Sequence, residues 1–325
     1  MESRGDHPRA AAEPTLDRRA AQVIGITRFG AMVRLDLRMP GWVPAAPGRF
    51  AMLQHERSAR FLPRAFSVHL QRDDAVSFLI APVGPGTTEL TECKVGDAVW
   101  VIGPVGRGFD EALDRWQRGA QSRRLVVVGG GAGVAPFPAL LEALGPTYRA
   151  AGTGSTGGGR HAEPEGRVAN GATSARRAGE VVVVLGFRDA CQAEAARTFE
   201  APAAALRAAG LTVRVEIITE DGRPGRAGLV TDLLAAELQA GDLVVVCGAH
   251  AMCAAVWEVC TAVEGARPWF SLEAGMACGV GSCQGCVIAL ADGTLAKVCR
   301  RGPVFAGDEV FLSNGEMVAV GGGTQ

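Results

Sequence analysis

The feature that most constrains this chain is a group of four cysteines near its C-terminus. Cys278, Cys283, Cys286 and Cys299 follow the spacing C-x4-C-x2-C-x12-C in a run rich in glycine. Grouped thiolates of this kind bind iron–sulfur clusters, and the first three match the plant-type spacing of a [2Fe–2S] site. Glycine allows the positive φ angles that a loop needs to wrap a cluster. Because the fourth cysteine follows so soon, we expect a [2Fe–2S] loop in a domain unlike a plant-type ferredoxin.

Two other uses of four cysteines stay open at this point. Structural zinc sites also take four cysteines, but they usually combine two short C-x2-C pairs, and the run holds one such pair. Disulfides form in oxidising compartments. The N-terminal segment is charged and lacks the apolar stretch of a secretory signal, so we expect a cytoplasmic protein with reduced cysteines. Four further cysteines are predicted to be small buried apolar residues: Cys93, Cys191, Cys253 and Cys260.

The composition is that of a protein with several domains and a large apolar core. The chain has 325 residues, is 48% hydrophobic and carries a formal net charge of −1. This length allows two or three domains, and the near-neutral charge argues against a nucleic-acid-binding surface. The longest apolar stretch, 125–144, is interrupted by glycines and prolines. We therefore expect no membrane-spanning segment.

The sequence pattern divides the chain into a tail and three units. Residues 1–20 are polar and are predicted to be disordered. Residues 21–118 carry short strand-like segments about ten residues apart, which predicts an antiparallel β-barrel. Residues 119–265 alternate buried strands with helical patterns, as in a doubly wound parallel α/β domain, with a flexible Gly/Ser/Ala/Arg-rich insert at about 146–179. Residues 266–325 form a small C-terminal cluster domain.

Two motifs in the predicted barrel are typical of a bound flavin dinucleotide. The strand segment 64–67 reads Arg-Ala-Phe-Ser, and the segment 84–87 reads Gly-Pro-Gly-Thr before a helical turn. A guanidinium pairs well with a pyrophosphate, and glycines at a helix start expose backbone N–H groups to the same anion. Each motif alone is weak, because surface arginines and turn glycines are common. The expected cofactor contacts are Arg64, Ala65, Phe66, Ser67, Gly84, Gly86 and Thr87.

Two further motifs lie where strands of the predicted α/β domain end. The loop 129–136 reads Gly-Gly-Gly-Ala-Gly-Val-Ala-Pro between a buried strand and a helix, a context that suits pyrophosphate binding. It lacks the third glycine of the dinucleotide fingerprint, so a tight turn without a ligand is an alternative. Cys247 ends another buried strand, at the edge where open α/β sheets bind ligands, although a structural cysteine is an equal alternative. The candidate contacts in the loop are Gly131 and Gly133.

Taken in this order, the motifs resemble those of one family. They are similar to the electron-transfer subunit of class B dihydroorotate dehydrogenase, an iron–sulfur flavoprotein of the ferredoxin reductase superfamily. The resemblance covers nearly the whole chain from about residue 21, and its most specific part is the cluster segment followed by Cys-x-x-Gly-Pro-Val-Phe. The matching segments are 64–67, 84–87, 103–109, 129–136, 247–252, 271–286 and 299–305.

The resemblance implies FAD in the barrel, NAD in the α/β domain and [2Fe–2S] in the C-terminal unit. It implies electron transfer to NAD+ in pyrimidine biosynthesis, from the FMN of a separate catalytic subunit, with two copies of each subunit in a heterotetramer and no membrane or nucleic acid. Cys247 matches the cysteine near the nicotinamide ring, and Glu273 lies in a segment that approaches the flavin, so both are candidate catalytic residues. The implied cluster ligands are Cys278, Cys283, Cys286 and Cys299.

Some positions depart from the family pattern, and two other functions stay open. Ala65 and Ala249 stand where a proline is usual, and the insert at 146–179 is an addition. An NAD(P)H-dependent ferredoxin or sulfide oxidoreductase subunit on the same scaffold is the main alternative; a non-catalytic redox sensor is another. Some of those oxidoreductases have an aspartate in place of one cluster cysteine. The four cysteines here favour the dihydroorotate dehydrogenase subunit. Arg188 suits a 2′-phosphate and Asp189 a ribose hydroxyl, while the resemblance implies NAD rather than NADP.

Overall fold

The computed structural model describes residues 17–118, 124–145 and 179–311. The predicted tail and insert fall almost entirely outside these ranges. Two short 3-10 helices cover Gly131–Val134 and Glu194–Phe199. The other elements are β1 (Arg19–Phe29), β2 (Met32–Arg38), β3 (Phe50–His55), β4 (Arg64–Ser67), β5 (Leu70–Arg72), β6 (Ala75–Ile80), α1 (Pro85–Thr91), β7 (Ala98–Val105), α2 (Asp110–Arg118), β8 (Arg124–Gly130), α3 (Phe137–Leu144), β9 (Glu180–Phe187), α4 (Ala190–Ala193), α5 (Glu200–Ala208), β10 (Thr212–Thr219), β11 (Arg226–Ala227), α6 (Val230–Glu237), β12 (Leu243–Cys247), α7 (His250–Thr261), β13 (Arg267–Ser271), β14 (Val287–Ala289), β15 (Leu295–Lys297), α8 (Val298–Arg301), β16 (Val304–Ala306) and α9 (Gly307–Val310).

The first sheet curls into a barrel through the strand that carries the Arg-Ala-Phe-Ser motif. Its strands are antiparallel in the order β4-β3-β7-β1-β2-β6-β5. β4 and β5 lie at opposite edges of this order, although Val68 and His69 alone separate them in the chain. The two edges must therefore lie side by side, which closes the sheet. Apolar side chains such as Leu35, Leu53 and Phe78 fill the interior.

The second sheet is mostly parallel and reverses its winding between β8 and β12. The strand order is β11-β10-β9-β8-β12-β13-β16, with β16 antiparallel at one edge. From β8 the chain first winds outward through β9 to β10 and then returns to place β12 and β13 on the other side. Ligands bind at the carboxyl ends of the strands where such an order reverses. Because helices cover both faces of the sheet, its central strands are continuous runs of buried valine and leucine.

The C-terminal unit is tied to both sheets by backbone contacts. β14 and β15 form a hairpin, and β16 then pairs with β13 at the edge of the second sheet. On the barrel side, the backbone N–H of Arg107 donates to the carbonyl of Gly302, just before β16. Gly48 has a positive φ of 89° and lies against Phe109 and Val304, where a larger residue would collide. These contacts fix the position of the cluster loop relative to the barrel.

The structure agrees with the predicted architecture but corrects one buried position. The antiparallel barrel, the parallel α/β unit and the C-terminal unit are all present, while the boundaries at residues 118 and 265 stay a prediction. Cys93, Cys253 and Cys260 are buried as predicted. Cys191 is exposed, so that prediction was wrong; it lies on the one-turn helix α4, which has too few residues to bury a face of its own. No helix among residues 17–118, 124–145 and 179–311 is long and apolar enough to cross a membrane.

A buried arginine holds together the amino-terminal end of the parallel sheet. Arg124 begins β8, and its guanidinium lies 2.8 Å from Asp242, 3.0 Å from Glu237 and 3.3 Å from Glu180. The Arg124 side chain is 8% exposed and that of Asp242 is 1% exposed. Burial raises the pKa of Asp242, and the neighbouring guanidinium opposes this shift. Since Glu180 begins β9 and Asp242 precedes β12, the network joins β8 to both of its neighbours.

We expect Arg124→Met to lower the free energy of unfolding by about 3–5 kcal/mol, because it leaves the Asp242 carboxylate buried without its partner. Urea denaturation followed by circular dichroism measures the change. Arg214→Met is the matched control: Arg214 pairs with Glu237 and Glu180, but its side chain is 39% exposed. We expect the control to cost about 1 kcal/mol or less. Equal losses in the two variants would contradict this account of the network.

Candidate functional site

The four cysteines of the C-terminal loop converge in two pairs. The side chains of Cys278 and Cys283 are hydrogen-bonded to each other, and so are those of Cys286 and Cys299. The two pairs are neighbours, since the backbone N–H of Gly281, between Cys278 and Cys283, donates to the sulfur of Cys299. All four lie in the described part of the chain, yet no three of their sulfur atoms are within 4.8 Å of one another. Two adjacent pairs suit two iron atoms with two thiolates each, whereas one tetrahedral zinc ion would bring all four sulfurs together.

Backbone N–H groups turn inward to the sulfur atoms. Val280 and Cys283 donate to Sγ of Cys278 at 3.4 and 3.5 Å, and Gly285 donates to Sγ of Cys283 at 3.4 Å. Burial opposes ionisation of Cys278, but the N–H groups of Cys283 and Val280 outweigh it and lower the pKa of this thiol to about 6. Thiolates are the form that binds metal. The donor set and its surroundings therefore fit an iron–sulfur cluster.

The cluster loop is packed directly against the barrel. Gly279 has a φ of 69°, and a Cβ at this position would collide with the side chain of Met52 on β3. Met52 pairs in register with Ala65 on β4, so the loop lies beside the strand that carries the Arg-Ala-Phe-Ser motif. Residues 282–285, at the tip of the loop, are exposed. The loop thus faces the barrel on one side and solvent on the other.

The arginine of the barrel motif lies over the glycine of the second motif. Nη1 of Arg64 donates to the carbonyl of Leu62 at 2.8 Å, which orients the guanidinium. A Cβ at Gly86 would lie 3.1–3.2 Å from three atoms of this group, so the absence of a side chain makes room for the arginine. The hydroxyl of Thr87 donates to the carbonyl of Gly84 at 2.8 Å and accepts from the N–H of Gly84 at 3.0 Å. Thr87 therefore shapes the loop from within.

The other residues of the two barrel motifs differ in their exposure. Ala65 is exposed, while Phe66 and Ser67 are half-buried on the same strand. The loop before β4 is fastened to α1, because the hydroxyl of Ser58 donates to Glu89 at 2.5 Å and Arg60 pairs with the same carboxylate at 3.5 Å. The two motifs, about twenty residues apart in sequence, thus form one continuous surface at the edge of the barrel.

The switch point of the parallel sheet brings the glycine loop to Cys247. Cys247 pairs in register with Gly129, where β12 and β8 end side by side. A Cβ at Gly133 would collide with the carbonyl group of Cys247, so the loop touches the end of β12 backbone to backbone. Gly131 has a φ of 54° and no atom within 4 Å of its missing Cβ, which leaves open space above the loop. The structure thus brings Gly131, Gly133 and Cys247 together at the carboxyl ends of two neighbouring strands.

The thiol of Cys247 is held in its neutral form. Burial, and then the charge of Glu273, raise the pKa of Cys247 well above its usual value, while a hydrogen bond with Ser271 opposes the shift. Glu273 is exposed, and its carbonyl lies 2.8 Å from Nε2 of His250 at the start of α7. His250 therefore anchors the segment that leads from β13 to the cluster loop. One stretch of chain joins the switch point to the cysteine pairs.

Two groups of polar residues were missed by the sequence reasoning. His69, between β4 and β5, is fully buried, and its Nδ1 lies 2.7 Å from the carbonyl oxygen of Ala135 in the glycine loop. The contact joins residues 66 positions apart, so no local motif signals it.

Three potential metal ligands also lie close together on the barrel side of the molecule. They already have partners within the protein; Nδ1 of His55, for example, accepts a hydrogen bond from a backbone N–H at 3.1 Å. We interpret this group as structural; its members are His55, Cys93 and Asp97.

Comparison with known proteins identifies the family. The family model for the iron–sulfur cluster binding domain of dihydroorotate dehydrogenase B matches residues 273–311. The dihydroorotate dehydrogenase B (NAD(+)) electron transfer subunit of Listeria monocytogenes serotype 4a (strain HCC23) is 31% identical over 271 residues, or 82% of this chain and 88% of the relative. The chain belongs to this family of electron transfer subunits. The predicted resemblance is therefore confirmed.

Another relative and two solved structures agree with this assignment. The corresponding subunit of Geobacillus thermodenitrificans (strain NG80-2) is 36% identical over 231 residues, or 70% of this chain and 71% of the relative. An NADH-dependent reduced ferredoxin-NADP oxidoreductase has a TM-score of 0.62 at 19% identity, with 89% of this chain and 88% of that chain covered. A ferredoxin NADP+ reductase from Neisseria gonorrhoeae has a TM-score of 0.53 at 15% identity, with coverages of 76% and 91%. At these identities the two structures speak for the fold alone, and they confirm the predicted fold class.

We expect Cys286→Ser to abolish cluster binding, because it removes one thiolate from a pair that would hold a single iron atom. Iron and acid-labile sulfide per chain, measured on protein purified without oxygen, should fall to near zero. Cys260→Ser is the matched control, since Cys260 is equally buried but lies on α7 outside the group. Wild-type iron content in the first variant, or loss of iron in the control, would contradict the ligand set. Bound zinc in place of iron in the wild-type protein would favour the zinc alternative.

Proposed function

We propose that this chain passes electrons from dihydroorotate oxidation, on a separate FMN-containing subunit, through a [2Fe–2S] cluster and FAD to NAD+ in pyrimidine biosynthesis. The observation that carries the proposal is the packing of the cysteine loop between two other candidate sites. Gly279 lies against β3 beside the Arg-Ala-Phe-Ser strand, and Glu273, in the segment leading to that loop, lies near Cys247. A short distance between redox centres is what electron transfer requires. Membership of the dihydroorotate dehydrogenase B electron transfer subunit family supports the same function.

The cysteine loop holds the cluster and sets its electrostatic surroundings. Cys278 and Cys283 would hold one iron atom, and Cys286 and Cys299 would hold the other. The inward N–H groups donate to the cysteine sulfurs, and such hydrogen bonds raise the potential of a cluster. When bound, FAD supplies the chemistry that interconverts the single electrons of such a cluster and the hydride of a nicotinamide.

The barrel surface binds the flavin nucleotide. Arg64, oriented by the carbonyl of Leu62, pairs with the pyrophosphate, and the glycines at 84 and 86 allow the backbone to approach it closely. Ser67 and the neighbouring backbone of Ala65 and Phe66 would hydrogen-bond the flavin ring system. Thr87 acts indirectly, because its hydroxyl holds the loop in shape.

The switch point of the parallel sheet binds the nicotinamide nucleotide. Gly131, with no atom within 4 Å of its missing Cβ, would leave room for a pyrophosphate above the carboxyl ends of β8 and β12, and Gly133 lets the loop touch the end of β12. Cys247 borders the nicotinamide ring as a neutral thiol, since its raised pKa keeps the proton on sulfur over the whole physiological range. Its role is therefore to shape and desolvate the site rather than to act as a nucleophile. Glu273 supplies a carboxylate close to that thiol.

Dihydroorotate itself reacts on the partner subunit. The exposed tip of the cluster loop, 282–285, offers that partner's FMN a direct approach to the cysteine pairs. Two copies of each subunit, as the resemblance implies, would form a heterotetramer with two electron-transfer routes. A cytoplasmic location remains part of the proposal, in keeping with the reduced cysteines that a cluster requires.

The decisive experiment is dihydroorotate-dependent reduction of NAD+ by protein purified without oxygen, with and without a dihydroorotate dehydrogenase B catalytic subunit. We expect NADH to form in the mixture and neither component to form it alone. Flavin and cluster absorption of the chain must be present in the same sample. If both cofactors are bound and the mixture is inactive, the proposed function is wrong, and the result favours the ferredoxin or sulfide oxidoreductase alternative. Activity of this chain alone would contradict the two-subunit scheme.

We expect Gly86→Ala to raise the dissociation constant for FAD about tenfold, equal to about 1.4 kcal/mol. The new methyl group would lie 3.1 Å from Nε of Arg64, so the guanidinium would have to shift by a few tenths of an ångström. Gly84→Ala is the comparison variant: a Cβ there meets no protein atom within 4 Å and its φ of −171° suits any residue, so it can hinder only the approach of the ligand, and we expect a smaller rise. Quenching of flavin fluorescence on addition of FAD to the deflavinated protein gives both constants. Equal effects of the two substitutions would contradict the placement of Arg64 at the pyrophosphate.

A further inference from the structure

His69 connects the barrel to the glycine loop of the α/β unit through one buried hydrogen bond. The side chain is 0% exposed, and its Nδ1 lies 2.7 Å from the carbonyl oxygen of Ala135. A carbonyl oxygen can only accept, so Nδ1 carries the proton and Nε2 is bare in the neutral ring. His69 follows Ser67 by two positions, and Ala135 follows Gly133 by two. The bond thus joins the proposed flavin strand to the proposed nucleotide loop.

The ring is kept neutral and is held by this bond. Burial lowers the pKa of His69 to about 4, and the bond to Ala135 opposes that shift. Arg34 and Asp36, both on β2, act on the ring in opposite directions. Within the described residues, Nε2 is buried without a hydrogen-bond partner. If this position served packing alone, an apolar side chain would stabilise the fold more than an imidazole, whose polar nitrogens are costly to bury. The hydrogen bond from Nδ1 to Ala135 is the interaction that offsets this cost.

The carbonyl of Ala135 in turn depends on this donor. It lies between the 3-10 turn that ends at Val134 and the start of α3. A continued 3-10 pattern would need the N–H of residue 138, which is a proline and has none. In the described part of the chain, the backbone hydrogen bonds outside regular elements include none to the Ala135 oxygen. The loop is therefore fixed on one side by Cys247, against which Gly133 packs, and on the other by His69.

We propose that His69 is a positioning residue that sets the nucleotide loop relative to the flavin strand and thereby governs nicotinamide binding and hydride exchange. The inference rests on the proposed function, in which the strand carries FAD and the loop carries NAD. The proposal affects one half of the electron path, between flavin and nicotinamide, and not the other half, between cluster and flavin. Steps that involve the nicotinamide depend on His69, while the cysteine pairs and the passage of electrons from the cluster to the flavin do not.

Two substitutions test whether a hydrogen-bond donor is needed at the position of Nδ1. The amide nitrogen of His69→Asn takes the place of Nδ1 and can still donate to Ala135, whereas the longer side chain of His69→Gln carries its amide to the position of Nε2. We expect His69→Gln to raise the dissociation constant for NAD+ about tenfold, as for loss of one buried hydrogen bond, and His69→Asn to stay within about twofold of the wild type. Calorimetric titration of the FAD- and cluster-loaded chain with NAD+ measures the constants. Rapid mixing with NADH without oxygen should show slower flavin reduction in the glutamine variant.

The outcomes separate this inference from the proposed function. If the wild-type chain neither binds NAD+ nor accepts electrons from NADH, the proposed function fails. If the wild type does both and His69→Gln matches it, or His69→Asn is impaired as much as His69→Gln, the role of His69 is overturned. FAD content, iron content and melting temperature must stay near wild type in both variants, since equal losses there would indicate a merely structural role. Nitrogen-15 spectra of histidine-labelled wild-type protein test the inference without any variant, because an Nε2–H tautomer of His69 would also overturn it.

Discussion

Close contact between glycine backbone and neighbouring elements places the candidate sites next to one another. Gly279 brings the cluster loop onto β3, Gly133 brings the nucleotide loop onto the end of β12, and Gly86 lets the Arg64 guanidinium lie over the start of α1. A Cβ would lie less than 3.0 Å from a neighbouring atom at Gly279 and at Gly133, distances that side chains do not tolerate, and at Gly86 it would crowd the guanidinium at 3.1–3.2 Å. The separations between the redox sites thus depend on three residues whose contribution is the side chain they lack. Substitution by alanine would change geometry before it changed chemistry.

Two cysteine thiols in neighbouring environments have pKa values shifted in opposite directions. At Cys278 the inward N–H groups outweigh burial and lower the pKa of the thiol, which prepares a thiolate for metal. At Cys247 burial and the charge of Glu273 raise the pKa, which keeps an inert neutral thiol at the end of a parallel strand. At Cys278 the difference comes from the backbone donors that point at its sulfur atom, whereas burial and the paired Cys286 raise the pKa of Cys299, another of the four, to about 12. Residue type alone therefore does not say which cysteine is suited to bind metal and which stays an inert thiol at the end of a strand.

Much of the fold could be predicted because its signals are local. Continuous valine runs such as 181–184 indicated buried parallel strands, and short alternating segments indicated the barrel. The prediction that Cys191 is buried was wrong, because its burial depends on what packs over a one-turn helix, and sequence periodicity does not show this. The network around Arg124 and the bond from His69 to Ala135 were also out of reach. Each links residues more than fifty positions apart, and such pairs leave no pattern within a window of sequence.

The sequence by itself determined the chemistry that the chain can hold. Four cysteines at their spacing, an arginine strand and two glycine loops specify ligand types, because covalent structure fixes which atoms donate to iron or to phosphate. Tertiary structure alone decided how those groups are arranged. It sorted the four thiols into two pairs, closed the barrel by bringing β4 beside β5, and set Cys247 against Gly133 at the switch point. The reason is that distances between remote residues follow from packing and strand order, which are properties of the whole chain.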